Sequence, residues 1–215
     1  MKTHNAEDTI KKVSSLFEKK EQFAFVTYTK SAIASVLNEI SEEKKPPKLF
    51  TKLILDGLKN QSHNFICAIQ PEIINSSNKG LSNLNVDIKH IYDPNFLEYY
   101  IHSNYDVFKI FRSWYVKNTK AIVVTFQNQF YISKYFSGDS IFIEVPYNDY
   151  YSKVNEITAN IIAKSDGIDL VILDCPMLSA AIAPKIWAET NMSVLDFGRA
   201  LNALKSFNRY NDSKK

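Results

Sequence analysis

The sequence predicts an α/β fold, a mostly parallel sheet with helices on both faces, and three observations predict it. Short, continuously apolar runs recur along the chain and read as strands buried on both sides. Segments of helical spacing separate them, the alternation that builds parallel sheets. The composition is ordinary for a globular domain, 45% hydrophobic and 23% charged over 215 residues, enough to bury a full core.

The elements follow in order. From residue 6 to 20, Ile10, Val13, Leu16 and Phe17 repeat at helical spacing. Residues 22–29 (QFAFVTYT) are β-branched and aromatic and read as a buried strand; residues 31–40 return to helix. Residues 42–48 (EEKKPPK) break the chain, because Pro46 and Pro47 cannot continue a helix. A short helix over 49–59 leads to a strand over 64–69 (NFICAI). Residues 70–86, rich in Asn and Ser, read as a long loop, and residues 94–116 as an aromatic helical stretch. Strands follow over 120–126 (KAIVVTF) and 140–145 (SIFIEV), then a helix over 150–164. The most regular stretch closes the chain: strand 169–174 (DLVILD), helix 176–190, strand 193–197 (SVLDF), helix 200–207. The organisation expected is an N-terminal helix over 1–21, one α/β domain over 22–207 and a polar tail over 208–215.

Charge and cysteines narrow the function classes. Lys and Arg total 26 against 23 Asp and Glu, net +3, with the basic residues scattered; electrostatics alone do not support a nucleic-acid protein. The high aromatic content, 14 Phe and 12 Tyr, suits core packing. Cys67 and Cys175 lie far apart in apolar runs and read as buried free thiols, which fits a reducing cytoplasm. No run of 18 apolar residues occurs and residues 1–12 are polar, so neither a membrane span nor a signal peptide is expected. His4, His63, His90 and His102 show no metal-ligand spacing, and the sequence holds no GxSxG, GxGxxG or P-loop pattern.

A parallel, Rossmann-like sheet gathers its strand ends on one edge, where ligands of such folds bind. Three ends then share a crevice: Thr27 to Ser31, Asp174 to Ser179, and Asp196 to Arg199. Pro176 suits the first turn of a helix, whose free N–H groups suit a phosphate, although every strand–helix junction of this kind offers them. Arg199 fits a diphosphate or carboxylate, or equally a surface cap. Asp196 fits a sugar hydroxyl, or ties down neighbouring backbone N–H groups.

These residues carry a resemblance. LVILDCPMLSAAIAPKIWAE, NMSVLDFGRALNAL, SIFIEVPYNDYYSKVNEI and FAFVTYTKSAIASVL resemble, over residues 22–207, the short motifs of the GT-D-type glycosyltransferases, once a domain of unknown function. The resemblance implies a nucleotide-sugar donor bound at the strand edge, with Lys30, Ser31, Cys175, Pro176, Ser179, Gly198, Arg199, Gln127 and Asn128 around it. It implies Asp174 and Asp196 as the groups contacting sugar hydroxyls or serving as base. The acceptor it implies is a glycan, a protein or a modified base, and oligomerisation stays open.

The departures from the family are specific. Lys30 and Ala32 stand where the family has the Asp and Glu that organise a divalent cation, and Thr27 stands for its Arg. Cys175 replaces the glycine of a Gly-Pro turn, and Thr125-Phe126-Gln127-Asn128 lacks both charges of the family's middle strand. An ammonium offers only donors and ligates no metal, so no metal site is expected. Either Lys30 supplies the positive charge directly and sugar transfer is metal-independent, or the fold persists as an inactive binding or assembly module. Another Rossmann-like enzyme, such as a methyltransferase, is disfavoured by the missing Gly-rich turn.

Overall fold

A computed structural model describes residues 1–40, 46–60 and 62–212, with side chains to Phe207. Six strands form one parallel sheet in the order β3-β2-β8-β7-β5-β6. They are β2 (Ala24–Thr27), β3 (Phe65–Ala68), β5 (Ala121–Thr125), β6 (Ile141–Glu144), β7 (Leu170–Asp174) and β8 (Ser193–Asp196). Every residue of β2, β3, β5 and β7 is buried, as both faces of the sheet are covered. The edge strand β6 is partly open, and β8 only at Ser193. A separate two-stranded parallel pair joins β1 (Lys2–Thr3) to β4 (His90–Ile91).

The period of two in each strand sorts side chains into two cores. Ala24, Val26, Ile122, Val124, Val171 and Leu173 face one cluster; Phe25, Ala121, Val123, Leu170 and Ile172 face the other. The first cluster packs α2 (Lys30–Val36), α3 (Lys48–Leu58), α4 (Pro71–Asn83), α8 (Val154–Ala163) and α9 (Pro176–Glu189). The second packs α1 (Ala6–Glu18), α5 (Phe96–Ser103), α6 (Tyr105–Phe111), the short α7 (Gln129–Ile132) and α10 (Ala200–Asp212). Aromatic rings fill both: Phe23, Phe25, Phe50, Phe96 and Phe108 are fully buried.

Helix α9 is buried almost all round, from Leu178 to Ile186, and its run of alanines lets neighbours approach closely. Gly57 of α3 faces it. A Cβ there would collide with the Tyr28 hydroxyl and sit 2.6 Å from Pro184 Cγ, so only glycine fits between the helices.

Four expectations change. Residues 70–86 are mostly helix, not loop: Pro71 opens α4, and Ile74 and Leu81 anchor it seven residues apart. The aromatic stretch 94–116 is not one helix. Asn104, extended at φ −153°, separates α5 from α6 and caps α6 by accepting from Val107 N, and a π turn over Arg112–Val116 ends it. The helix expected from residue 150 begins at Val154, after a turn in which Asp149 adopts φ +66°. Helix α10 runs past residue 207 to Asp212. Residues 42–45 of the expected break lie outside the described residues; Pro47 caps α3. Among the described residues, no helix is long and apolar enough to cross a membrane.

Candidate functional site at the carboxyl edge

The polar residues of the core concentrate where strands end. Thr27, Thr125, Asp174 and Asp196 are the last residues of β2, β5, β7 and β8, and all four are buried. A parallel sheet puts these ends on one edge. There the chain leaves β5 and β8 toward α7 and α10 on one face, and β2 and β7 toward α2 and α9 on the other. The connections therefore diverge at β2/β8, β8/β7 and β7/β5, which opens the edge to a ligand.

Asp174 stands directly opposite Thr125 in the ladder. The Thr125 hydroxyl donates to Asp174 Oδ2 at 2.8 Å, and Gln127 Nε2 donates to the same oxygen at 3.0 Å. Thr125 Oγ1 in turn accepts from Gln127 N at 2.9 Å, which folds the loop after β5 back over the carboxyl group. Burial pushes the Asp174 carboxyl up to about 6, and the two hydrogen bonds only partly offset it.

Asp196 is held differently. Its Oδ2 accepts from Thr27 N at 3.1 Å and its Oδ1 from Gly198 N at 2.9 Å. The side chain thereby ties the end of β2 to the turn after β8, where Gly198 adopts φ +53°. Burial, with a smaller contribution from the nearby Asp174 charge, pushes its carboxyl up to about 7 against these donors. Strand alternation points the two carboxyl groups to opposite faces. Asp196, only 1% exposed and bonded through both oxygens, is a staple of the rim, whereas Asp174 has one oxygen uncommitted.

The remaining predicted residues divide between surface and interior. Lys30 and Ser31, the first residues of α2, and Arg199, just before α10, are exposed; they rise from the loops of the adjacent strands β2 and β8. Pro176 is exposed at the first turn of α9. Cys175 and Ser179 are sealed below the rim. The Cys175 thiol donates to Val124 O at 3.5 Å and the Ser179 hydroxyl to Cys175 O at 3.0 Å, so both brace the turn from inside. Burial pushes the Cys175 thiol up. Asn128 is exposed, and its side-chain oxygen is engaged in capping α7 through Phe130 N at 2.9 Å.

The sequence reading missed Thr125, which orients Asp174, and the backbone N–H of Thr27. One signal marks both: a polar residue closing an otherwise apolar strand, as Asp174 and Asp196 also do. Surface concavities exist elsewhere, beside His63 and His90 and around Trp114, but none of these borders the carboxyl edge. Among the described residues, no group of three His, Cys, Asp or Glu could hold a metal ion.

Fold and edge together define a class: a doubly wound α/β protein whose working edge carries buried carboxyls flanked by exposed cations. No protein-family model and no curated protein matches the sequence. Solved structures do. "A New Glycosyltransferase (DUF1792) from Streptococcus sanguinis" superposes with a TM-score of 0.74 at 11% identity, covering 98% of this chain and 85% of that one. A structure described as showing that domain of unknown function 1792 "has a distinct glycosyltransferase fold" superposes at 0.70 and 10% identity, over 98% and 82%. A selenomethionine structure of the same domain gives 0.73 at 10% identity, over 98% and 82%. The chain therefore has the GT-D glycosyltransferase fold, the fold its short motifs led us to expect.

Proposed function

We propose that the protein is a glycosyltransferase that binds a nucleotide-sugar donor across the carboxyl edge and passes the sugar to an acceptor hydroxyl without a metal ion. The observation that carries the reading is the carboxyl edge itself: Asp174, raised to about 6 by burial, lies beside the β8 loop that presents Arg199 and two strands from the β2 loop that presents Lys30. A carboxyl with that affinity for protons suits a general base near neutral pH. In the transfer, the sugar–diphosphate C–O bond breaks and a C–O bond to the acceptor forms. The acceptor proton goes to Asp174, and the nucleoside diphosphate leaves with its charge stabilised by Lys30 and Arg199.

The donor set does not fit a divalent cation where the family places one. Lys30 offers only N–H donors, and Ala32 is a buried methyl group with no ligand atom. A fixed ammonium substitutes for the metal's charge on the leaving group. The same substitution favours a second reading, a descendant that keeps the fold as a binding or assembly module without transfer.

A thermal-shift panel of nucleoside diphosphates and nucleotide sugars, with and without Mn²⁺, separates the two. Transfer predicts that one nucleotide sugar raises Tm equally in both conditions and that Lys30→Ala and Arg199→Ala remove the rise. Both side chains are exposed, so the variants keep the parent Tm without ligand. A panel silent throughout overturns the donor-binding reading, and a rise that requires Mn²⁺ overturns metal independence.

A further inference from the structure

The loop after β5 holds an unbalanced set of hydrogen-bonding atoms. Thr125 uses its only proton on Asp174 and its lone pair on Gln127 N, so that hydroxyl is complete. Gln127 directs its amide N–H₂ at the carboxylate, the orientation that charge dictates, since the opposite one would set two acceptors face to face. Its Oε1 is thereby fixed as the group facing away, and it is buried with no hydrogen-bond partner. Asp174 takes both of its side-chain bonds on Oδ2, so Oδ1 also has no partner among the described residues.

Two acceptors therefore stand in the same loop region with no donor between them. A buried carbonyl left in this state costs about 1–3 kcal/mol. Such a group calls for an explanation, and a ligand that completes it at a binding edge is one. A phosphate or carboxylate brings no donors and is repelled by Asp174. A hard cation could take both oxygens but asks for six or more oxygen ligands, and among the described residues no group of three His, Cys, Asp or Glu gathers to supply them. Neighbouring hydroxyls on one rigid ring supply a donor to each acceptor. The setting agrees: α7 begins two residues after Gln127 and carries two exposed rings, Phe130 at 82% and Tyr131 at 59%. Exposed aromatic rings in the segment that follows Gln127, Tyr131 with Lys205 Nζ 5.4 Å over its ring, suit a molecule with an apolar ring face and hydroxyl edges.

We propose that Gln127 Oε1 and Asp174 Oδ1 receive two neighbouring hydroxyls of a sugar ring, which makes Gln127 the residue that reads the hydroxyl pattern of the ligand. The inference rests on the carboxyl edge being a sugar-transfer site and specifies where the sugar sits in it.

Saturation-transfer NMR with the methyl α-glycosides of glucose, galactose and mannose tests it without any nucleotide. At least one glycoside should bind the wild type. Gln127→Met, which keeps the side chain's length and loses the amide, should weaken that glycoside by about ten-fold, one hydrogen bond's worth. In the wild type, the monodeoxy analogues of the same glycoside should show two adjacent positions whose loss weakens binding about as much, a readout that stands even if the variant folds poorly. Silence of all three glycosides overturns the proposal, as does a Gln127→Met protein that binds unchanged or a deoxy series with no adjacent pair. The parallel nucleotide panel keeps the two readings apart. Glycoside binding without nucleotide binding leaves the sugar site standing and removes the donor assignment; nucleotide binding without glycoside binding does the reverse.

Discussion

Replacing Asp174 by Asn should make this protein more stable above neutral pH while removing its chemistry. Burial raises the carboxyl from its ordinary 3.8 to about 6. The folded state therefore holds a proton that the unfolded chain releases across that interval, and stability falls as the pH climbs from about 4 to about 6. Each pKa unit is worth about 1.4 kcal/mol, so the charged carboxylate lowers stability by about 3 kcal/mol once fully ionised. Asparagine fits without rearrangement. Its oxygen can take the place of Oδ2, accepting from Thr125 and Gln127, and its amide then occupies the uncommitted Oδ1 position. Urea unfolding of both proteins from pH 4.5 to 8 provides the measurement. The wild type should lose stability with rising pH, and Asp174→Asn should reduce that slope below pH 6, leaving the part owed to Asp196, and gain about 1–3 kcal/mol at pH 8. An Asn variant less stable than the wild type at pH 8, or an unchanged slope, would refute the reasoning, because Asp174 would then be a structural anchor.

Three further predictions concern the frame around the site. Gly57→Ala should cost about 1–3 kcal/mol by overpacking α3 against Tyr28 and Pro184. Tyr28→Phe should be neutral or stabilising in chemical denaturation, because the Tyr28 hydroxyl is buried without a partner, and it should recover part of the loss in the double variant. Gly198→Ala should cost about 1 kcal/mol, since the residue sits at φ +53° with its added Cβ 3.3 Å from Pro94 O. Because Gly198 N anchors Asp196, nucleotide affinity should fall with it, measured by calorimetry.

The strands were legible because burial on both faces leaves a continuous apolar signature. Runs such as AIVVT and LVILD admit few other readings. Helix α4 was not legible. Its exposed face is Asn and Ser, residues typical of loops, and only Ile74 and Leu81 are buried to betray a helical period. The strands β1 and β4 are two residues each and exist only through their pairing, which sequence does not display. The rim was partly legible, since Asp174 and Asp196 close strands that sequence identifies. Their division of labour was not, because it depends on partners 49 and 169 residues away in the chain, Thr125 for one carboxyl and Thr27 for the other. Cys175 and Ser179 were assigned outward by position, whereas they lie on the inward side of the start of α9, whose exposed side is Pro176.

The strand order has a consequence for how the molecule is made. Strands β2 and β3 come early, yet only β8, near residue 195, joins them to β7, β5 and β6. Until that segment has been synthesised, the sheet exists at best as two unconnected halves with bare flanks. Assembly must pair Ala24 with Val194, most of the chain's length apart, which slows it and leaves those flanks open to wrong pairing. The last strand to arrive also brings Asp196, so the same event that joins the halves finishes the rim: a chain cut short before β8 has neither a continuous sheet nor a complete rim.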